Sequence, residues 1–245
     1  MHLEGSSNVR DLGGLPLVGG GETAYGVLYR SDTLQELTPR DADLWRERGL
    51  GLVVDLRAPT EAAVEGRGPL VDAGEVRYVN APVLSDEAMA RPDEELIVHD
   101  RTPEQRAQRY LDYLDGDGGA ALAGAVVALA TAEAPALFHC AAGKDRTGVL
   151  AALVGDVVGV EREALVEDYA LTSERIDAII ARLRRLPTYT DDMSDTAREH
   201  HLAQPEVMRL LLAGLDERHG GARRWLSSRG VDGAVLDRLA ARLHG

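Results

Sequence analysis

Ala136-Leu137-Phe138-His139-Cys140-Ala141-Ala142-Gly143-Lys144-Asp145-Arg146-Thr147-Gly148 is the stretch on which both fold and chemistry turn. Residues 136–139 read as a short buried strand, and the apolar run 147–158 reads as a helix. Between them lies a tight, glycine-containing loop, and an apolar helix over 120–132 precedes the strand. Working outward, further strands are expected at 27–30, 50–56 and 75–80. A helix over 41–48 separates the first two: Thr38 is its N-cap, Pro39 fits its first position and Gly49 ends it. Thr102-Pro103-Glu104-Gln105 opens another helix in the same way, with Tyr110, Leu111 and Leu114 at helical spacing. From 161 onward the pattern is helical, through 165–186, 206–215, 223–226 and 235–243. Strands alternating with helices predict an α/β fold: a mostly parallel central sheet flanked by helices, with a helical C-terminal third. One domain over 1–245 is expected from the length. Segments 81–103 and 187–205, rich in acidic residues and proline, are candidate lids over a site, with a plain solvated connection as the alternative.

The formal charge of −14, from 41 acidic and 27 basic residues, argues against nucleic acid or an anionic membrane as a bulk partner. An anionic substrate must therefore be captured locally. No uncharged apolar run is long enough for a membrane insertion, and Met1-His2-Leu3-Glu4-Gly5-Ser6-Ser7 lacks the basic start and apolar stretch of a signal peptide. A cytoplasmic address is the default expectation, although signal-independent export leaves no mark in sequence. Cys140 is the only cysteine, which excludes an intramolecular disulfide, and Lys144 is the only lysine among the 27 basic residues. The two lie four residues apart.

A helix N-terminus presents unpaired N–H groups and the positive end of the helix dipole, so the turn before 147–158 suits a phosphoryl group. Gly143 permits the tight backbone, and the N–H groups of Ala141, Ala142, Gly143 and Lys144 can form an anion-binding nest. At that spot the dipole and Arg146 favour Cys140 as a thiolate, a nucleophile able to displace an alcohol or phenol from phosphorus and form a phosphocysteine. Arg146 supplies a planar fork for two phosphoryl oxygens, and the Thr147 hydroxyl is placed to hydrogen-bond the sulfur. His139, at the strand end, is expected to orient the loop. The alternative for Cys140 is an inert core thiol. A nucleotide-binding turn is excluded because Gly-x4-Gly-Lys-Ser/Thr is absent.

His-Cys-x-x-Gly-Lys-Asp-Arg-Thr-Gly resembles the signature loop of the protein tyrosine phosphatase superfamily, in the version of the bacterial PtpB-like tyrosine, dual-specificity and lipid phosphatases. Asn8-Val9-Arg10-Asp11-Leu12-Gly13-Gly14, Leu28-Tyr29-Arg30-Ser31, Val54-Asp55-Leu56-Arg57 with Glu61, and Glu167-Asp168-Tyr169 extend the likeness over nearly the whole chain; 84–117 aligns poorly. The resemblance implies hydrolysis of phosphotyrosine, with phosphoserine, phosphothreonine or phosphoinositides as further substrates, and helical lids over the site. It implies no cofactor and no metal, and no obligate protein partner is evident. Asn8, Arg10 and Asp11 lie either beside the phosphate loop or in an ion pair fixing the N-terminal segment. Arg57 and Glu61 form a charge cluster near Asp55.

Two carboxylates compete as the acid that protonates the departing oxygen. Asp55 ends the central strand at the sheet edge where α/β sites lie; Asp145 lies in the loop itself. Lys144 is expected at the rim, adding charge for a second phosphate or an acidic flank, or simply neutralising the bound one. Two other classes compete: a catalytically silent phosphate-binding module that recognises phosphorylated partners, and a metal-dependent hydrolase built on His99-Asp100 or His200-His201, which lack partners at ligand spacing.

Overall fold

The computed structural model describes residues 3–89, 102–189 and 198–244. Its centre is a five-stranded sheet made of β1 (Arg10–Asp11), β2 (Leu28–Ser31), β3 (Leu52–Asp55), β4 (Arg77–Asn80) and β5 (Ala136–His139), in the order β1-β2-β5-β3-β4. β2, β5, β3 and β4 run parallel, and only the short β1 is antiparallel, on β2. The mostly parallel α/β sheet expected from sequence is therefore present.

Side chains alternate across the sheet with period two, as strand geometry requires. Leu28, Leu52, Val54, Ala136 and Phe138 enter the larger core, whereas Tyr29, Val53 and Leu137 enter the smaller one on the opposite face. The smaller face is covered by α1 (Pro39–Glu47) and α3 (Pro69–Asp72), α2 (Pro59–Glu65) lying between them in sequence. Trp45 of α1 packs there edge-on against Tyr29, ring centroids 4.9 Å apart. Thr38 closes a full capping box with Asp41 on α1, and Thr102 does so with Gln105 at the start of the helix that follows it, so both expected N-caps act as such.

After α4 (Asp86–Met89), the larger face is built from α5 (Pro103–Asp115), α6 (Gly118–Thr131), α7 (Asp145–Val158), α8 (Arg162–Ala170), α10 (Pro205–His219), α11 (Ala222–Ser228) and α12 (Gly233–Leu243). The run 165–186 is not one helix. A 3-10 segment, Leu171–Arg175, interrupts it between α8 and α9 (Ile176–Leu183). Thr172 inside that break is buried, with its hydroxyl accepting from Asn8 and Arg10. Among the described residues no helix is long and apolar enough to cross a membrane.

Candidate active site

The parallel register brings Ser31, His139, Asp55 and Asn80 level at one edge of the sheet. β5 is the middle strand, so the loop that follows it opens at the centre of the carboxyl edge, where ligand sites of such sheets form. α7 begins at Asp145, two residues earlier than its apolar pattern suggests, placing Asp145, Arg146 and Thr147 in the first turn. Gly143 has φ +65°, and a Cβ there would stand 2.6 Å from the Ser31 carbonyl oxygen and 2.7 Å from the Asp32 nitrogen. No other residue fits this close approach without moving backbone.

The loop carbonyls are tied back one after another. Nδ1 of His139 donates to the Cys140 carbonyl at 3.1 Å, which makes Nδ1 the protonated nitrogen of a buried imidazole. Arg182 of α9 donates to the Ala141 carbonyl at 2.7 Å, Asn8 to those of Ala142 and Gly143 at 3.0 and 3.2 Å, and Arg30 to that of Gly143 at 2.8 Å. In a planar trans peptide the N–H points opposite to the C=O. Outward carbonyls on 140–143 thus turn the N–H groups of Ala141, Ala142, Gly143 and Lys144 inward, joining the free N–H groups of the α7 N-terminus. The donors are themselves anchored. Arg182 and Ser6 hydrogen-bond Asp32, and Arg10 (2.6 Å) and Arg30 (2.5 Å) pair with Asp168. Burial and neighbouring Arg10 draw Arg30 down to about 10, so it stays charged at neutral pH.

Cys140 forms the floor of a cleft, and its sulfur accepts a hydrogen bond from the Thr147 hydroxyl at 3.2 Å. Arg146 lines the same cleft. Its guanidinium is aimed by Glu61 of α2, which receives NH1 at 2.5 Å and NH2 at 3.1 Å, while Tyr189 lies 3.0 Å from NH2 and donates to Glu61. Burial pushes the Glu61 carboxyl up, but the Arg146 charge together with the hydrogen bonds from Arg146, Tyr189 and the Ala58 N–H holds the group ionised below its usual range. The sequence associates Glu61 with Asp55 and Arg57; the structure pairs it with Arg146 instead. Tyr189 and Arg109, which also lines the cleft, carry no motif signal and come to the site only through tertiary packing.

The two competing carboxylates part company here. Asp145 lines the cleft and Asp55 does not. Asp55 is fully buried, with its oxygens occupied by the backbone N–H of Arg57, the Arg57 guanidinium (2.7 Å at closest) and the Tyr78 hydroxyl (2.9 Å). Burial raises it, yet His139 and Arg57 prevail and bring it down to about 2. Arg57 also donates to the Gly66 carbonyl, so this pair braces the base of α2 rather than facing the cleft. Asp145 is 24% exposed and accepts from Tyr110 and, at 3.3 Å, from Arg109. Burial pushes its carboxyl up, but Lys144, Arg109 and the Tyr110 hydroxyl hold it well below the usual carboxylate range.

Lys144 is not at an exposed rim. It is 4% exposed, its ammonium donating to the His201 carbonyl at 3.0 Å and standing 3.7 Å from Asp145. Burial brings it down to about 8. The 3-10 segment Arg198–His201 that covers it is held by Arg106, which donates to the carbonyls of His200 and Leu202. In the same cleft, Ile176, Ile179, Ile180 and Leu183 of α9 make an aliphatic wall.

Both proposed lid segments lie partly outside the described residues, as do His99, Asp100, Asp191, Asp192 and Asp195. Of the described parts, Leu84 and Met89 from one, and Tyr189 and His201 from the other, line the cleft. Asn8 reaches the loop directly, Arg10 serves an ion pair with Asp168, and Asp11 accepts from the N–H groups of Gly13 and Gly26. Among the described residues no three His, Cys, Asp or Glu side chains gather as a metal site requires.

The model of the tyrosine phosphatase family matches residues 1–245. The triple specificity protein phosphatase PtpB of Mycobacterium tuberculosis is 27% identical over 252 residues, an alignment covering 90% of this chain and 91% of that protein. A tyrosine-protein phosphatase of Nostoc commune is 27% identical over 235 residues, covering 89% of this chain and 74% of its own.

Proposed function

The chain belongs to the tyrosine phosphatase family, and from that premise we propose that it hydrolyses phosphotyrosine through a phosphocysteine on Cys140 and accepts phosphoserine, phosphothreonine or phosphoinositides as slower substrates. The observation that carries this reading is the floor of the cleft: a cysteine sulfur bonded to Thr147, beneath inward N–H groups and beside Arg146. The M. tuberculosis relative, named for triple specificity, supports a range wider than phosphotyrosine. The aliphatic wall of α9 suits an aryl leaving group, whose ring gains by leaving water.

In the first step the Cys140 thiolate attacks phosphorus, the bond to the ester oxygen breaks, and Asp145 gives that oxygen its proton. Lys144, Arg109 and Tyr110 keep Asp145 ionised before substrate binds. A bound phosphoryl dianion is a like charge that pushes its carboxyl back up, so the proton is taken on within the complex. In the second step water attacks phosphorus and gives a proton to Asp145, and the S–P bond breaks to release inorganic phosphate and the thiolate. Arg146, aimed by Glu61, follows the equatorial oxygens through both steps. Asp55 has a bracing role.

The test is rapid mixing with an aryl phosphate: a burst of phenol stoichiometric with enzyme and an acid-stable phosphocysteine are expected, both abolished in Cys140→Ser. Absence of burst and adduct, with phosphate still bound, would favour a silent binding module. A panel of phosphotyrosine peptide, phosphoserine peptide and phosphoinositide should rank in that order; a preference for the alkyl esters would overturn the substrate assignment.

A further inference from the structure

Behind Asp145, two hydroxyls form a chain for which the steps above have no use. Tyr110 of α5 donates to Oδ1 of Asp145, and its oxygen lies 2.9 Å from that of Tyr169 on α8. A phenol has one proton to give. Tyr110 spends its proton on the carboxylate, so the second bond must run from Tyr169 to Tyr110. The chain therefore has a direction, Tyr169 to Tyr110 to Asp145, and each bond polarises the next. Both tyrosines are completely buried, in a part of the core where an unpartnered hydroxyl is costly. The rings stand edge to face, centroids 6.4 Å apart, and Tyr169 packs against Gly148, where even a Cβ would come within 3.0 Å of its ring. This close approach of α8 to α7 fixes the chain relative to the turn that carries Asp145.

The other charged or titratable groups facing Asp145 differ in what they hold. Arg109 shares Oδ1 at 3.3 Å. Lys144 stands 3.7 Å from Oδ2 with its ammonium directed to the His201 carbonyl, and Arg106 is committed to the carbonyls of His200 and Leu202. Tyr113 and His201, both lining the cleft, complete the surroundings. Oδ1 is thus doubly occupied, whereas Oδ2 accepts no hydrogen bond among the described residues.

We propose that Tyr110 and Tyr169 are positioning residues for the reaction: their directed hydroxyl chain reserves Oδ1 of Asp145 and locks its carboxyl so that Oδ2 carries the proton to the leaving oxygen. The proposal rests on the reading of Asp145 as the general acid. Burial, with the Asp145 charge beside them, raises both phenols, so neither ionises at a working pH and the chain stays a donor.

The experiment measures kcat and KM for aryl and alkyl phosphates of graded leaving-group pKa in Tyr110→Phe, Tyr169→Phe, Asp145→Asn and the Tyr110→Phe/Asp145→Asn double variant. A positioned acid contributes about 10²–10⁴-fold when the leaving group is poor. Loss of the donor to Oδ1 is expected to remove about tenfold of this in kcat for the alkyl ester, with KM within about twofold and little change for the best aryl leaving group. Tyr169→Phe, which keeps the Tyr110 bond, should show the same pattern at about threefold. In the Asp145→Asn background Tyr110→Phe should cost nothing further. An unchanged leaving-group dependence in Asp145→Asn would remove the acid, and this inference with it. A steep dependence in Asp145→Asn combined with a uniform loss in Tyr110→Phe, or a loss that adds in the double variant, leaves the acid standing and overturns the positioning role. Should Tyr110→Phe fail to fold, the Tyr169→Phe pattern decides alone.

Discussion

Replacing Arg182 with methionine asks how far the phosphate cradle depends on being pulled open from behind. Arg182 is 3% exposed; it pairs with fully buried Asp32 and holds the Ala141 carbonyl at 2.7 Å. Methionine keeps most of the side-chain volume but leaves Asp32, among the described residues, with the Ser6, Ser7 and Ser31 donors. Breaking one partner from a buried ion pair costs about 3–5 kcal/mol. With a urea slope of about 3 kcal/mol/M, as suits a chain this long, a loss of about 4 kcal/mol lowers the unfolding midpoint by about 1.3 M. Without denaturant the protein should remain folded, so activity reads the loop itself. A freed Ala141 carbonyl lets its peptide rotate and withdraws the N–H of Ala142, one preorganised donor whose loss costs about a hundredfold in kcat, the lower end for such groups. The control is Arg185→Met, in the turn just after that helix, whose exposed pair with Glu36 at 3.1 Å should matter by less than about 1 kcal/mol and not at all for turnover. If Arg182→Met matches Arg185→Met in urea midpoint and in kcat for an aryl phosphate, the clamp has no role in shaping the cradle.

Asp55→Asn should behave as a stability variant: because its folded pKa of about 2 lies below the ordinary value, its contribution is present above about pH 4 and lost as pH falls toward 2. The variant should therefore unfold at lower urea at pH 7 and show a flatter acid limb, with the leaving-group dependence of the folded enzyme unaltered. Inorganic phosphate, as a competitive inhibitor, should bind more weakly as pH rises through about 8, where the buried Lys144 ammonium loses its charge, and Lys144→Gln should flatten that limb. The same depressed pKa makes Lys144 destabilising below pH 8 and relieves the penalty between 8 and the unfolded value, so wild-type urea midpoints gain a rising component there that Lys144→Gln lacks. Gly143→Ala should abolish vanadate binding by calorimetry, because its Cβ would meet the Ser31 carbonyl and its φ of +65° suits glycine; unimpaired binding would mean that the loop tolerates the shift.

Strand 136–139 is legible to the residue because its apolar run stops at a polar loop on one side and follows Pro135 on the other. The start of α7 is not. Lys144, Asp145 and Arg146 look like loop by polarity, yet the last two are the first helical turn, kept polar by the anion site it forms. The sequence also leaves Asp55 and Asp145 tied, since both sit at the carboxyl edge of the sheet, and only side-chain direction separates them. Glu61 carries a motif but not its partner. Arg109, Tyr110 and Tyr189 carry neither, because helical spacing marks a residue as facing inward without saying what it will meet. Lys144 shows the reverse failure: its place in the loop beside Cys140 suggests a charge at the rim of the site, whereas the 3-10 segment folded over it makes it interior.

The placement of the cations also divides the electrostatic journey of a substrate into two stages of opposite sign. At long range the chain as a whole, at −14, repels an anion. Within the cleft Arg109, Lys144 and Arg146 attract it. Dissolved ions screen the first stage over a Debye length of about 8 Å at physiological strength and reach the second far less. Encounter should therefore quicken, not slow, as salt is added from very low levels. The enzyme is in this sense gated by its ionic surroundings, admitting anions in a crowded electrolyte and turning them away in dilute buffer.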